Sequence, residues 1–153
     1  MKSYKHLVKG LDPVANAFAG TVYSDIVSMS NHNIVQFVIY KGVGATGTST
    51  ITVEACDNVS ASNVAAVPFR YQKISTGDTA GADTAATTAG FATTAGSSQL
   101  YIITAEAEAL AASGYEFIRL KAVEVVASAV LGGILIIQDE PRENRPVQST
   151  TIV

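Results

Sequence analysis

The chain has no tryptophan, one cysteine, four prolines and two histidines among its 153 residues, and charged side chains make up only 15% of it. Each shortage removes a class of function. With Cys56 alone, no intramolecular disulfide can form, so the core has to hold the fold. Cys56 is expected to act as a small buried hydrophobe. A catalytic thiol would want a neighbouring base, and His6 and His32 are the only histidines. Neither belongs to an H-x3-H or C-x2-C pattern, so no metal site is expected and both are placed in exposed turns or arms. No cofactor is expected either.

Basic clusters are also missing. A net charge of −3 without grouped Lys and Arg argues against a nucleic-acid partner, whose phosphates demand them. The longest apolar stretch, Val125 to Ile137, is interrupted by Ser128 and falls short of the roughly 18 residues of a membrane span. Lys2, Lys5 and Lys9 ahead of Ala17-Phe18-Ala19 have the outline of a signal peptide, but Asp12, Pro13 and Asn16 break the apolar region it needs. A cytosolic product is therefore expected, in which the Asn58-Val59-Ser60 sequon carries no sugar. The missing charge is replaced by Ala, Thr, Ser and Gly, a composition that suits a surface buried against other subunits.

Gly42-Val43-Gly44-Ala45-Thr46-Gly47 spells G-x-G-x-x-G after an apolar run. A dinucleotide site needs a helix directly after it, because the pyrophosphate rests on the helix N-terminus. The next residues are instead Thr48-Ser49-Thr50-Ile51-Thr52-Val53-Glu54-Ala55-Cys56, a β-branched stretch with period two, which predicts a strand. The glycines are then expected at the tip of a hairpin between Ile34–Lys41 and Ser49–Asp57, where positive φ is required. Further strands are predicted over Thr21–Met29, Phe69–Ser75, Ser98–Thr104 and Tyr115–Val126. A last hairpin is expected to join that final strand to Ile134–Asp139 across Gly132-Gly133. About seven short strands at regular intervals define an all-β chain, an antiparallel β-sandwich or jelly-roll-like barrel.

One short connecting helix is predicted between Thr104, as N-cap, and Gly114, as C′ residue. Its acids Glu106 and Glu108 are two apart and point to different faces, which disfavours a glycosidase-type pair. No G-x-S-x-G elbow is present, and Glu54, Asp57 and Asp78 lack the density of a calcium loop. No active site is expected.

The organisation read from sequence is an N-terminal arm over 1–20, a β-sandwich domain over 21–140 and an extended C-terminal arm over 141–153. Within the domain, residues 76–97 form an Ala/Thr/Gly-rich loop whose large side chain is Phe91. This loop is expected either to lie exposed, with a short edge strand near Ala89–Thr93, or to order on a neighbouring subunit with Phe91 as anchor. Candidate interface residues are Phe91, Pro141, Arg142, Arg145, Ile152 and Val153, the last two able to add a strand to another chain's edge.

The run Ile51-Thr52-Val53-Glu54-Ala55-Cys56-Asp57, Pro68-Phe69-Arg70-Tyr71, the Thr76-Gly77-Asp78-Thr79 turn, Gly114-Tyr115-Glu116-Phe117-Ile118-Arg119-Leu120-Lys121 and Glu140-Pro141-Arg142 resembles small structural proteins of tailed bacteriophages. The likeness covers roughly residues 20 to 142, and among these proteins the chain looks most like capsid decoration or cement proteins. The resemblance implies a virion protein on the capsid exterior, made in the host bacterial cytoplasm. Its implied partners are the major capsid protein and further copies of itself, as a dimer or trimer. It carries no catalytic residues to transfer. A tail or head–tail connector component is the alternative, with a carbohydrate-binding sandwich behind it, since exposed aromatics for sugar stacking are scarce.

Overall fold

A computed structural model describes residues 5–43 and 45–142. Two antiparallel sheets pack face to face as a β-sandwich. The first contains β1 (His6–Val14), β13 (Gly132–Pro141), β4 (His32–Lys41), β11 (Leu100–Glu106) and β7 (Phe69–Thr76) in that order. Two short strands, β8 (Thr79–Ala80) and β9 (Thr84–Ala86), flank β7. At the centre of the second sheet lie β5 (Thr48–Cys56) and β12 (Phe117–Val126). The outer edge of β5 is paired by β6 (Val64–Val67) and β10 (Phe91–Ala92), that of β12 by β2 (Thr21–Tyr23) and β3 (Val27–Ser28).

The core lies between the sheets. Val35, Phe37 and Ile39 of β4, with Tyr101 and Ile103 of β11 and Ile134 and Ile136 of β13, face Ile51, Val53, Ile118 and Leu120 from the second sheet, all almost wholly buried. Burial of side chains this size, at about 25 cal/mol per Å2 of apolar surface, is the main term holding the sheets together.

Both expected hairpins are corrected. β4 and β5 are each central strands, but of different sheets, and so are β12 and β13. The segment 42–47 therefore crosses from one sheet to the other, as does 127–131, and the two crossings run side by side. Gly42 N donates to Leu131 O at 2.6 Å, and the hydroxyls of Thr46 and Ser128 are 2.6 Å apart. Gly47 is needed for this close approach and not for a positive φ: a Cβ there would sit 2.3 Å from Ser128 O. No helix comes after the glycines, in agreement with the strand expected over Thr48–Cys56.

The N-terminal segment differs from the expected arm. Residues 6–14 form β1 on β13, Val8 enters the core, and Ala17 and Phe18 are buried. Thr21–Met29, expected as one strand, divides into β2 and β3. The short helix is present as α1 (Ala107–Ala111), but Thr104 does not cap it, being paired in β11 with Gln36 and Arg70. Ladder pairing continues through Glu106, and the helix occupies only the five residues left before the Gly114 turn at φ 69°.

Candidate interaction surface

The outward faces of the two sheets are chemically unlike. On the second sheet the register sets Thr50 beside Val123, Thr52 beside Lys121 and Glu54 beside Arg119. Glu54 Oε2 accepts from Arg119 Nε at 2.9 Å and Nη2 at 2.8 Å, and Lys121 Nζ lies 3.2 Å from Oε1. The Arg119 guanidinium also sits 3.9 Å over the Tyr23 ring. This face pairs its own charges, with Glu54 itself buried beneath Arg119 and Lys121.

The first sheet carries an apolar outward face. One row across it runs Lys9, Leu135, Val38, Ile102 and Gln72; the next runs Gly133, Tyr40, Leu100 and Ile74. A third begins with Leu7 and Ile137 and turns polar at Gln36, Thr104 and Arg70. Leu7 is 61% exposed and Tyr40 59%, and Leu131 and Leu135 are also exposed. Beside Tyr40 a groove of about 520 Å3 runs over Gly132 and Gly133, between Leu135 on one side and the bulged end of β1, Leu11 to Pro13, on the other. An exposed contiguous apolar area on a sheet face is a candidate contact surface for another molecule.

The signal for it lies in the strand sequences. Phe37-Val38-Ile39-Tyr40, Leu100-Tyr101-Ile102-Ile103 and Ile134-Leu135-Ile136-Ile137 are apolar at every position. A strand covered on one side alternates, as Thr50-Ile51-Thr52-Val53 does; a strand apolar throughout is covered on both sides. That contrast was open to sequence reasoning and was missed, so Leu7, Tyr40, Leu131 and Leu135 were not among the expected interface residues.

The expected interface residues are dispersed. Phe91 lies in β10, its ring stacked on Tyr71 at 3.8 Å and near Phe69 and Tyr101, so it is spent on the chain's own core edge. β10 falls where the edge strand near Ala89–Thr93 is expected, and β8 and β9 add to it, leaving less of 76–97 as loop. Pro141 closes β13 opposite His32, and Arg142 N donates to Asn31 O at 2.9 Å. Arg145, Ile152 and Val153 lie outside the described residues.

Groups with chemical potential are held in structural roles. His32 is not exposed as expected: it is fully buried, neither ring nitrogen has a hydrogen-bond partner among the described residues, and the His6 ring stacks 6.2 Å away. Burial, then the neighbouring His6, push its pKa below the usual value, against a smaller opposing pull from Asp139. Lys41 is buried too, its ammonium donating to Gly47 O at 3.0 Å and Thr94 O at 2.8 Å. It clasps the crossing segment to the loop before β11, and burial, then Lys73, lower its pKa. Cys56 is buried as expected, its thiol pushed up to about 11 by burial. Asp57 accepts from the Asn63 backbone and side chain, closing the loop between β5 and β6, and these bonds hold its pKa low. No group of three or more metal-ligating side chains converges among the described residues, and none of their helices is long and apolar enough to cross a membrane.

The chain is thus an all-β protein of the sandwich type. No family model matches it, and no curated protein does. Two solved structures show a slight similarity, infectious bursal disease virus of the Gx strain and of the Gt strain. Their TM-scores are 0.24 and 0.22 at 10% and 12% identity, over 90% and 92% of this chain. The chain spans 42% of the length of each of those chains. Likeness of that degree carries no argument about this protein.

Proposed function

We propose that the protein is a structural component of a tailed-phage virion, a decoration or cement protein that sits on the outside of the head and braces contacts between major capsid protein subunits. The observation that carries this reading is the apolar outward face of the first sheet, set against a second sheet whose outward face is polar and self-paired. Such a molecule is made to be covered by protein on one side. Its buried histidine, lysine and cysteine serve the core, and the reading assigns the chain no catalytic activity and no cofactor. The resemblance of residues 20–142 to small phage structural proteins supplies the virion context. A shell gains stability from anything that binds only its assembled form. Repeated attachment around a symmetric particle turns modest single-site affinity into lasting association.

The test is cosedimentation of purified protein with capsids that lack it, with subsequent heating of the decorated particles. Saturable binding at a fixed ratio to the major capsid protein, with a higher temperature of particle disruption, is the expected result. Protein that ignores capsids and assembles into rings or tubes overturns the reading in favour of a tail or connector component.

A further inference from the structure

We infer that, independently of the proposed function, the first half of β1 is an acid-released flap: when the His6–His32 pair takes up a proton, residues 5–9 peel from β13 as far as the bulge at Gly10, while the rest of the sandwich stays closed.

Protonation is costly at this site while β1 is in place. His32 is fully buried, neither of its ring nitrogens has a hydrogen-bond partner among the described residues, and the ring stacked on it at 6.2 Å is a second imidazole. An imidazolium needs acceptors or water for its two N–H groups, and a like charge beside it adds to the cost. β1 brings His6 and Lys5 to the site and β13 brings Asp139. Lys5 Nζ lies 3.0 Å from the Asp139 carboxylate, so it competes for the acid that favours the proton. Gln138 is neutral and gives its amide to Ser28 O, while Glu116 is engaged by Ser28 Oγ. Glu106, Glu108, Glu140 and Arg142 line a groove with Asn33 and Ile34, the two residues after His32.

The geometry of β1 lets it give way there. It is the edge strand of its sheet, laddered to β13. Of residues 6–9, Val8 enters the core, whereas Leu7 and Lys9 are exposed. Lys9 pairs with Leu135 and Leu11 with Ile134, which makes Gly10 the extra residue of a bulge and interrupts the ladder. From Gly10 onward the chain is held: Gly10 O accepts from Asp25 N at 2.8 Å, Ala17 N donates to Val130 O, and Phe18 is buried. Peeling back 5–9 lifts His6 off His32, admits water to both rings and parts Lys5 from Asp139, leaving that carboxylate to the imidazolium. A short edge segment with little in the core opens at lower cost than the whole fold.

In the closed form burial, then His6, keep the His32 pKa below its ordinary value, and the released ring titrates normally near 6.5. The flap is therefore most firmly closed above about pH 6.5 and opens as pH falls. At about pH 5.5 one released histidine raises the opening equilibrium by up to about tenfold.

The experiment is amide hydrogen exchange on the full chain, followed by NMR and corrected for the intrinsic effect of pH. The protected amides of 6–9 exchange through a local opening, at rates unchanged by low urea, whereas those of β5 and β12 speed up with it. Between about pH 7.5 and about pH 5.5 the protection of 6–9 falls by up to about tenfold in the wild type and stays constant in His32→Phe. Within the wild type, the amide signals of 6–9 shift with the same midpoint as the His32 ring signals. Exchange of 6–9 that tracks β5 and β12 in urea, protection indifferent to pH, a pH response kept in a folded His32→Phe, or a His32 ring that titrates without any shift at 6–9 each overturns the inference.

Discussion

Arg119 holds Glu54 with two nitrogens, at 2.9 and 2.8 Å, and lays the same guanidinium 3.9 Å over the Tyr23 ring. Three strands, β5, β12 and β2, are tied by this one side chain. The carboxylate is 8% exposed and the guanidinium 15%, so the pair is largely removed from water and its loss is not screened. Glu54→Gln leaves Arg119 and Lys121 facing each other without a counter-charge and lowers unfolding free energy by about 3 kcal/mol in urea titration. Arg70→Ala, which removes an ion pair to Asp83 about half exposed on both sides, changes it by less than about 1 kcal/mol.

The two crossings between sheets depend on Gly47. Any side chain there meets Ser128 O at 2.3 Å and the Val130 side chain at 2.7 Å, and backbone cannot swing aside as a side chain does. Gly47→Ala therefore destabilises by about 2 kcal/mol or more. Gly77→Ala meets nothing within 4 Å and pays only for its positive φ of 55°, about 1 kcal/mol. Thermal melts of the two variants separate overpacking from backbone strain, and equal losses would refute the role given to Gly47.

Cys56 is chemically silent in the folded state. A thiol buried and raised to about 11 has almost no thiolate at neutral or mildly alkaline pH. Ellman's reagent at about pH 8 leaves the native protein unmodified and titrates one thiol in urea, close to the ordinary cysteine pKa of about 8.5. Rapid reaction of native protein would show that the second sheet opens locally near β5.

The alternation of β5 and β12, with polar residues at every second position, made the second sheet legible from sequence, and the same period excluded a nucleotide loop. What failed was pairing. Adjacent strands joined by glycines are most simply hairpins, yet β4 and β5, and likewise β12 and β13, part to opposite sheets, because the decisive contacts, Gly42 to Leu131 and Thr46 to Ser128, join segments more than eighty residues apart. His6-Leu7-Val8-Lys9-Gly10-Leu11 is too short and too charged to stand out as a strand, and only β13 beside it makes it one. Phe91 invites a search for a neighbouring subunit because its surroundings in sequence are small residues; Tyr71, twenty residues earlier, supplies the ring it stacks on. The outward apolar face itself was legible in the apolar runs 37–40, 100–103 and 134–137, whose outward as well as inward positions are apolar.

His32 gives the protein a dependence on pH whose sign is set by its surroundings. The ring is fully buried, has no hydrogen-bond partner among the described residues, faces His6 of β1 and feels only a partial offset from Asp139 of β13, which Lys5 also engages. Its folded pKa therefore lies below the ordinary value near 6.5. The unfolded chain then takes up the proton first as pH falls, so stability is full above about 6.5, where both states are neutral, and declines as pH drops through that value towards the folded pKa. The low pKa of Asp139, held down chiefly by the Glu140 backbone N–H, acts only in the more acidic carboxylate range and does not enter this window. Urea midpoints from about pH 8 to about pH 5 should fall for the wild type and stay flatter for His32→Phe, which keeps an aromatic ring in the site without a proton to bind. Parallel curves for the two proteins would assign the acid sensitivity to another group.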